Sequence, residues 1–485
     1  MEKGFMERFG DGIDHLEEVD VPLVYFFAVF ALFFTFRYFL DLFVRGWNFR
    51  FEVLLGHVSA GFSLLFFLLI ISHFATKENI EKTVKVVVPF MCSLVILITL
   101  LDLLIYGRAG FHHGYLSPHG EVSLVRRFFT FFGPLDEISL GNRISFIVGM
   151  FFLLVYFFYK SGKLVRSAFF VLLSYSVVFT GLSTSVIVKH TVEILGLEYT
   201  ISYTLLIRFF LLLSFFPMGA VFYLMRKEGF TEMLKDLRPL GLAHFILMLF
   251  LGLGFGYHHS SIDVTLYSLS RLILTVMSLS SAWLFVASFK KTEGRRQMCL
   301  PAAFFLAAIY SLAAGYTAFL FIVLFMVIYA LKVKSPPLLS KFPIALNSLL
   351  LLFLGHSYAG ELFEIPVIIP VFFLTLFPLT ANFLDIKSYH EDKERGLKTL
   401  PVLLGLPGAK LLIGVLFATA VFSSYFLMLQ VVYLGPTLGT LLAALFGIFG
   451  LIEFYLINTE DQNEKPVFLV YLMLISMITV LMFVL

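Results

Sequence analysis

The stretch that decides the reading is ANFLDIKSYHEDKERGLKTLPVLLG, residues 381–405. Here carboxylates, lysines and turn residues crowd together between two long apolar segments. Asp385, Ser388 and Asp392 are spaced three and then four residues apart. A helix puts all three on one face, with Glu391 beside it. Gly396 ends that helix, and Lys398 and Thr399 precede Pro401, where the next element starts. Acids facing lysines at a membrane surface suit a divalent cation that holds a phosphorylated ligand.

The rest of the chain supplies the membrane. Its 485 residues are 60% hydrophobic, 17% aromatic and only 14% charged. The mean hydropathy is +0.95, and apolar runs of roughly 20 residues recur along the chain, which defines a polytopic membrane protein. Lipid-exposed backbone must satisfy its own hydrogen bonds, so the spans are helices and the fold class is all-α. The 61 phenylalanines most simply coat lipid-facing surfaces. A net charge of +3 argues against a nucleic-acid partner. Cys92 and Cys299 sit in or beside apolar spans and read as reduced packing residues. The N-terminus is charged and amphipathic and has no short apolar core of a cleavable signal.

Apolar segments fall into a group of six and a group of nine, about fifteen transmembrane helices in all. A polar joint, Arg226 to Arg238, separates them. The expected domains are 1–225, of about six spans and no assigned function, and 226–485, of nine spans. In the second part lysines and arginines occupy alternate loops, and the loops between carry none. The positive-inside rule then puts the joint and the Asp385–Lys398 loop in the cytosol and the C-terminus outside. In the first part basic residues fall in successive loops, so orientation is not readable there. His112, His113 and His119 lie in one long loop without an acid or cysteine to complete a metal set. Arg37, Asp41, Asp102 and Arg208 lie inside spans but mostly close enough to an end to snorkel; the alternative is a polar pathway.

The string LDIKSYHEDKERGLKTLPVLLG resembles the second aspartate-rich motif of the UbiA-type intramembrane prenyltransferase superfamily. It is most similar to the archaeal lipid-forming branch, whose pattern runs as KDIxDYEGDxxxGxKTLP. Asp385, Ile386, Tyr389, Asp392, Gly396, Lys398, Thr399, Leu400 and Pro401 match in register. Arg238–Pro239 and the segment YALKVKSPPLLSKFP from Tyr329 are weaker matches. The resemblance implies a nine-helix bundle over residues 230–485 with this motif after its sixth helix. It implies Mg2+ held by aspartates, an isoprenyl diphosphate, and a lipophilic acceptor that captures the isoprenyl group. Carried over, Asp385 and Asp392 are catalytic metal ligands, Glu391 a substitute ligand, and Lys398 a diphosphate contact. Lys332 or Lys334 is a weaker candidate for that contact. The plain alternative for each is a solvated residue in an inside loop.

Two departures stand out. The motif's middle aspartate is Ser388, a weak neutral ligand for magnesium. The family's first aspartate motif belongs near Trp283–Gln297, where WLFVASFKKTEGRRQ holds no aspartate. Lys290 and Lys291, with Arg295 and Arg296, would there meet phosphate directly, or simply form a positive-inside loop. Three functions therefore stay open. One is a prenyltransferase, possessed of a full or an impaired site. The second is a non-catalytic lipid-binding or scaffold protein on the same fold. The third is a transporter or flippase.

Overall fold

The computed structural model describes residues 4–45, 49–107, 124–131, 138–184, 186–187, 203–260, 266–288, 293–334, 341–359, 365, 370, 373–374, 385–430, 436–459 and 465–484. Among these every regular element is helical. The chain is a multi-pass membrane protein, and nine described helices are long and apolar enough to cross a bilayer. Five more apolar helices are shorter: Ala303–Ala314, Tyr316–Leu331, Lys341–His356, Leu400–Val415 and Lys465–Leu481. The span expected at 364–381 falls almost wholly outside the described residues, so fifteen remains the expectation.

The chain divides into two compact units, Met1–Glu232 and Met233–Leu485. The first holds α1 (Phe5–Glu18), α2 (Leu23–Arg45), α3 (Phe51–Thr76), α4 (Ile80–Tyr106), α5 (Leu124–Phe129), α6 (Leu140–Ser161), α7 (Leu164–Leu182), α8 (Tyr203–Met225) and most of α9 (Lys227–Asp236). Its core is aromatic and aliphatic, built on Phe30, Leu65, Leu69, Val84, Tyr156 and Phe157. Helix α1 is amphipathic and docks by Phe9 against Phe152 and Tyr159. Lys160 Nζ ties the same helix down, 2.8 Å from Glu17 Oε1 and 3.0 Å from Asp14 Oδ1. That ammonium, donating to the exposed Asp14 carboxylate, holds its carboxyl below the usual range.

The span charges of this unit do not snorkel. Arg37, Asp41, Asp102 and Arg208 are each at most 8% exposed. Polar partners inside the bundle meet three of them, Arg37, Asp41 and Asp102. Arg37 lies one turn from Asp41, its Nε 3.7 Å from Oδ2. Thr99 Oγ1 donates to Asp41 Oδ1 at 3.5 Å, and Ser139 Oγ donates to Asp102 Oδ2 at 2.8 Å. Arg37 and Asp41 offset each other's charge inside the bundle, and a hydroxyl hydrogen bond meets Asp102 there. His112, His113 and His119 lie outside the described residues.

The second unit holds α10 (Pro239–Ser260), α11 (Leu266–Ser288), α12 (Glu293–Ala314), α13 (Tyr316–Lys334), α14 (Lys341–His356), α15 (Tyr389–Glu394), α16 (Leu400–Gln430), α17 (Pro436–Asn458) and α18 (Lys465–Val484). Helix α10 packs against α14 and α18, α11 against α12, and α17 against α16 and α18. Two glycines set the α10–α14 crossing. A Cβ on Gly252 would collide with the Leu352 carbonyl, and one on Gly355 with the Leu249 carbonyl. Small residues let membrane helices approach backbone to backbone, where packing and not the hydrophobic effect drives association. Helix α16 bends near its start, where Gly405 takes φ 73° two residues before Pro407.

Candidate functional site

The motif folds as one tight device. Residues 385–387 make a helical turn, Ser388 a break, and α15 follows. The Asp392 N–H bonds the Ser388 carbonyl at 2.8 Å, carrying the chain across the break. The helix then closes in a Schellman motif. Leu397 N–H reaches the Asp392 carbonyl at 2.9 Å and Gly396 N–H the Lys393 carbonyl at 3.2 Å. Gly396 carries φ 68°, the left-handed conformation that this cap requires and glycine adopts freely. Pro401 sits in the first turn of α16, where its missing N–H costs nothing.

One face of this device is buried. Asp385 and Asp392 are 7% and 8% exposed. Ser388 Oγ donates to Asp392 Oδ2 at 3.0 Å, so the aligned trio lies together as its spacing requires. Lys341, at the start of α14, donates to Asp385 Oδ1 at 2.5 Å. Lys387 is buried too and donates to the Thr459 carbonyl and hydroxyl at 3.1 Å each. Ile386 between them packs on Ile413, Ile457 and Val467. The motif is thereby clamped onto α14, α16, α17 and α18. Burial, with help from the Asp392 charge, raises the Asp385 carboxyl above the usual carboxylate range, against the opposing pull of Lys341.

The remaining candidates lie elsewhere. Glu391 faces outward and pairs with Arg395 one turn on, at 2.5 Å, both side chains being more than half exposed. Lys398 is exposed on the segment after the cap, beside Thr399, which is buried with a hydroxyl that meets no hydrogen-bond partner among the described residues. Lys290 and Lys291 lie outside the described residues, as do the side chains of Lys332 and Lys334. The stretch read as a loop around 283–297 is helical at both ends, since α11 runs to Ser288 and α12 starts at Glu293.

Lys341 and Lys387 are the site residues that sequence reasoning missed. Lys341 read only as a topology-setting charge, and it is 44 residues from its partner. No local pattern marks such a contact.

The donor set accommodates magnesium in a limited way. Two buried carboxylates close enough to influence each other are what Mg2+ takes from a protein when phosphate oxygens and water complete its octahedron. No group of three or more acids, histidines or cysteines that could hold a metal occurs among the described residues. An all-protein cage is therefore not what these residues form. Lys341 already neutralises one oxygen of Asp385, so cation and ammonium would share that carboxylate.

Residues 296–478 match the model of the UbiA prenyltransferase family. No curated protein matches the chain. Among solved structures, a UbiA homolog from Archaeoglobus fulgidus bound to GPP and Mg2+ is similar, at 19% identity and a TM-score of 0.40, over 52% of this chain and 98% of the other. The same homolog bound to DMAPP and Mg2+ aligns at 18% identity with a TM-score of 0.38, over 52% of this chain and 99% of the other.

Proposed function

We propose that the C-terminal unit is a prenyltransferase that moves an isoprenyl group from its diphosphate to a lipophilic acceptor, with Mg2+ as cofactor. The observation that carries this reading is the buried Asp385–Asp392 pair, clamped beside Lys341 in a motif loop that bears the family's Lys398–Thr399 sequence. Carboxylates buried at a membrane surface are costly and are kept where they hold something. Asp385 and Asp392 would hold the metal ion, which when bound would neutralise charge on the diphosphate. Lys398 is free to reach a diphosphate oxygen, and Lys341 supplies a second cation at the same carboxylate. Diphosphate leaves readily only when its developing charge is met by such groups. The apolar helices around the site would exclude water from the allylic cation. Lys332, Lys334, Lys290 and Lys291 remain candidates for further diphosphate contacts, and Glu391, paired with Arg395, is the weakest candidate ligand.

The domains are taken as 1–225 and 226–485, the first without an assigned activity. The motif loop faces the cytosol and the C-terminus the outside, on the charge pattern of the loops. A non-catalytic lipid-binding role on the same fold is the second reading. It is favoured by Ser388 in place of an aspartate and by the lack of any aspartate in Trp283–Gln297.

Purified protein, Mg2+, labelled geranylgeranyl or farnesyl diphosphate and a membrane lipid extract make the test. Release of diphosphate that falls at least about a hundredfold in Asp392→Asn is the expected result for a ligand to the ion at the reacting phosphate. Absent release, or release indifferent to that substitution, supports the lipid-binding role instead.

A further inference from the structure

A cation is built into the acidic motif. Lys341 Nζ meets Asp385 Oδ1 at 2.5 Å. Ser388 links the two carboxylate positions, its Oγ lying 3.0 Å from Asp392 Oδ2 and 3.4 Å from the Asp385 carbonyl. An ammonium has three donors and a carboxylate two oxygens. Among the described residues Lys341 makes only the contact to Asp385, and neither Asp385 Oδ2 nor Asp392 Oδ1 has a hydrogen-bond or ionic partner. The ammonium therefore keeps two donors to spare beside two carboxylate oxygens that can take a metal ion. The pair is not sealed off, since the Lys341 and Asp385 side chains are 17% and 11% exposed.

The sum of these charges decides how many ions the site needs. Asp385 and Asp392 bring two negative charges and Lys341 returns one. A single divalent ion then turns the site net positive, which attracts a diphosphate. Without Lys341 the same ion would only neutralise the two carboxylates, and a second ion would be needed. Both departures in the sequence fit this count. Ser388 withholds a third carboxylate that would call for more cation. Trp283–Gln297 offers a single acid, Glu293, among Lys290, Lys291, Arg295 and Arg296, so it supplies no second set of metal ligands.

We propose that the Lys341 ammonium takes the place of a second metal ion, so that the site binds its isoprenyl diphosphate with one divalent cation. This rests on the prenyltransferase reading. Asp392 and the second oxygen of Asp385 are the ligands to that cation. Lys341 stays paired with Asp385 Oδ1 and gives its remaining donors to phosphate oxygens, which lysine meets as a point charge. Held by its carboxylate, the ammonium is in position before the ligand arrives.

The full-length protein in detergent is titrated with Mn2+, an EPR-visible stand-in for Mg2+, with and without a non-reactive isoprenyl thiodiphosphate. A blank with thiodiphosphate and no protein corrects for ions bound in solution. Wild type is expected to hold one Mn2+ for each thiodiphosphate bound. Lys341→Met is expected to hold two, or to need at least about tenfold more Mn2+ for half-maximal thiodiphosphate binding. Lys341→Arg keeps the charge and should lie at least about threefold nearer wild type. A packing role for Lys341 would move the unfolding temperature and leave the ion count alone. If Lys341→Met does not fold, wild type and Lys341→Arg decide, with one ion in each as the expected count. Two ions in wild type, or one in Lys341→Met at the wild-type Mn2+ demand, overturn the proposal and leave the prenyltransferase reading standing. A wild type that binds no thiodiphosphate at any Mn2+ concentration overturns both.

Discussion

Lys341 Nζ stands 2.5 Å from Asp385 Oδ1 although 44 residues separate them. Their side chains are 17% and 11% exposed, so water screens the pair poorly. Removing one partner leaves the other charge buried without compensation, which costs more than the pair contributes. Lys341→Met should therefore destabilise the second unit by about 2–3 kcal/mol. Adding Asp385→Asn should return much of that loss, because the orphaned charge goes with it. Thermal unfolding of the single and double variants in detergent checks this, and simple additivity would rule the coupling out. At this scale the sequence was informative wherever the partners are near neighbours. Asp385, Ser388 and Asp392 lie on one face because a helix repeats every three to four residues. Glu391, only one residue from Asp392, turns out to Arg395 for the same geometric reason. Lys341 was invisible, since every lysine in an inside loop looks alike until the chain has folded.

Helix ends followed from local chemistry. Gly396 was readable as a stop, and the Schellman bonds around it are that stop in three dimensions. The Arg226–Arg238 joint was harder: its polar residues hid the helix Lys227–Asp236, because a surface helix carries few apolar positions to mark its period. What holds elements together was less legible again. Gly252 and Gly355 read as ordinary glycines of apolar spans, yet each meets a carbonyl of the facing helix. That approach also brings His244 of α10 within reach of Ser348 on α14, at 2.7 Å. Gly252→Ala should push the two helices apart and destabilise the protein by about 1–3 kcal/mol, the usual cost of overpacking. A thermal unfolding series in which Gly219→Ala serves as control, where a Cβ meets nothing, reads the effect. Equal stability of the two variants would refute it.

For the whole molecule, orientation is the property that charge alone proposes. A cysteine introduced at His390, which is exposed in the motif loop, should react with a membrane-impermeant thiol reagent in inverted vesicles and not in intact cells. Labelling in intact cells would reverse the topology. Sequence by itself determined that this chain is an all-helical membrane protein and that one loop gathers carboxylates and lysines between two apolar segments. Those are matters of hydropathy and of spacing within a few residues, which the covalent chain already contains. Tertiary structure alone decided that Thr99 of α4 meets Asp41 of α2, that Lys341 closes on Asp385, and that Tyr471, His244 and Ser348 join three helices of the second unit. Each of these joins side chains from helices far apart in the chain. Contacts of that kind exist only once packing has paid the entropy of bringing distant segments together.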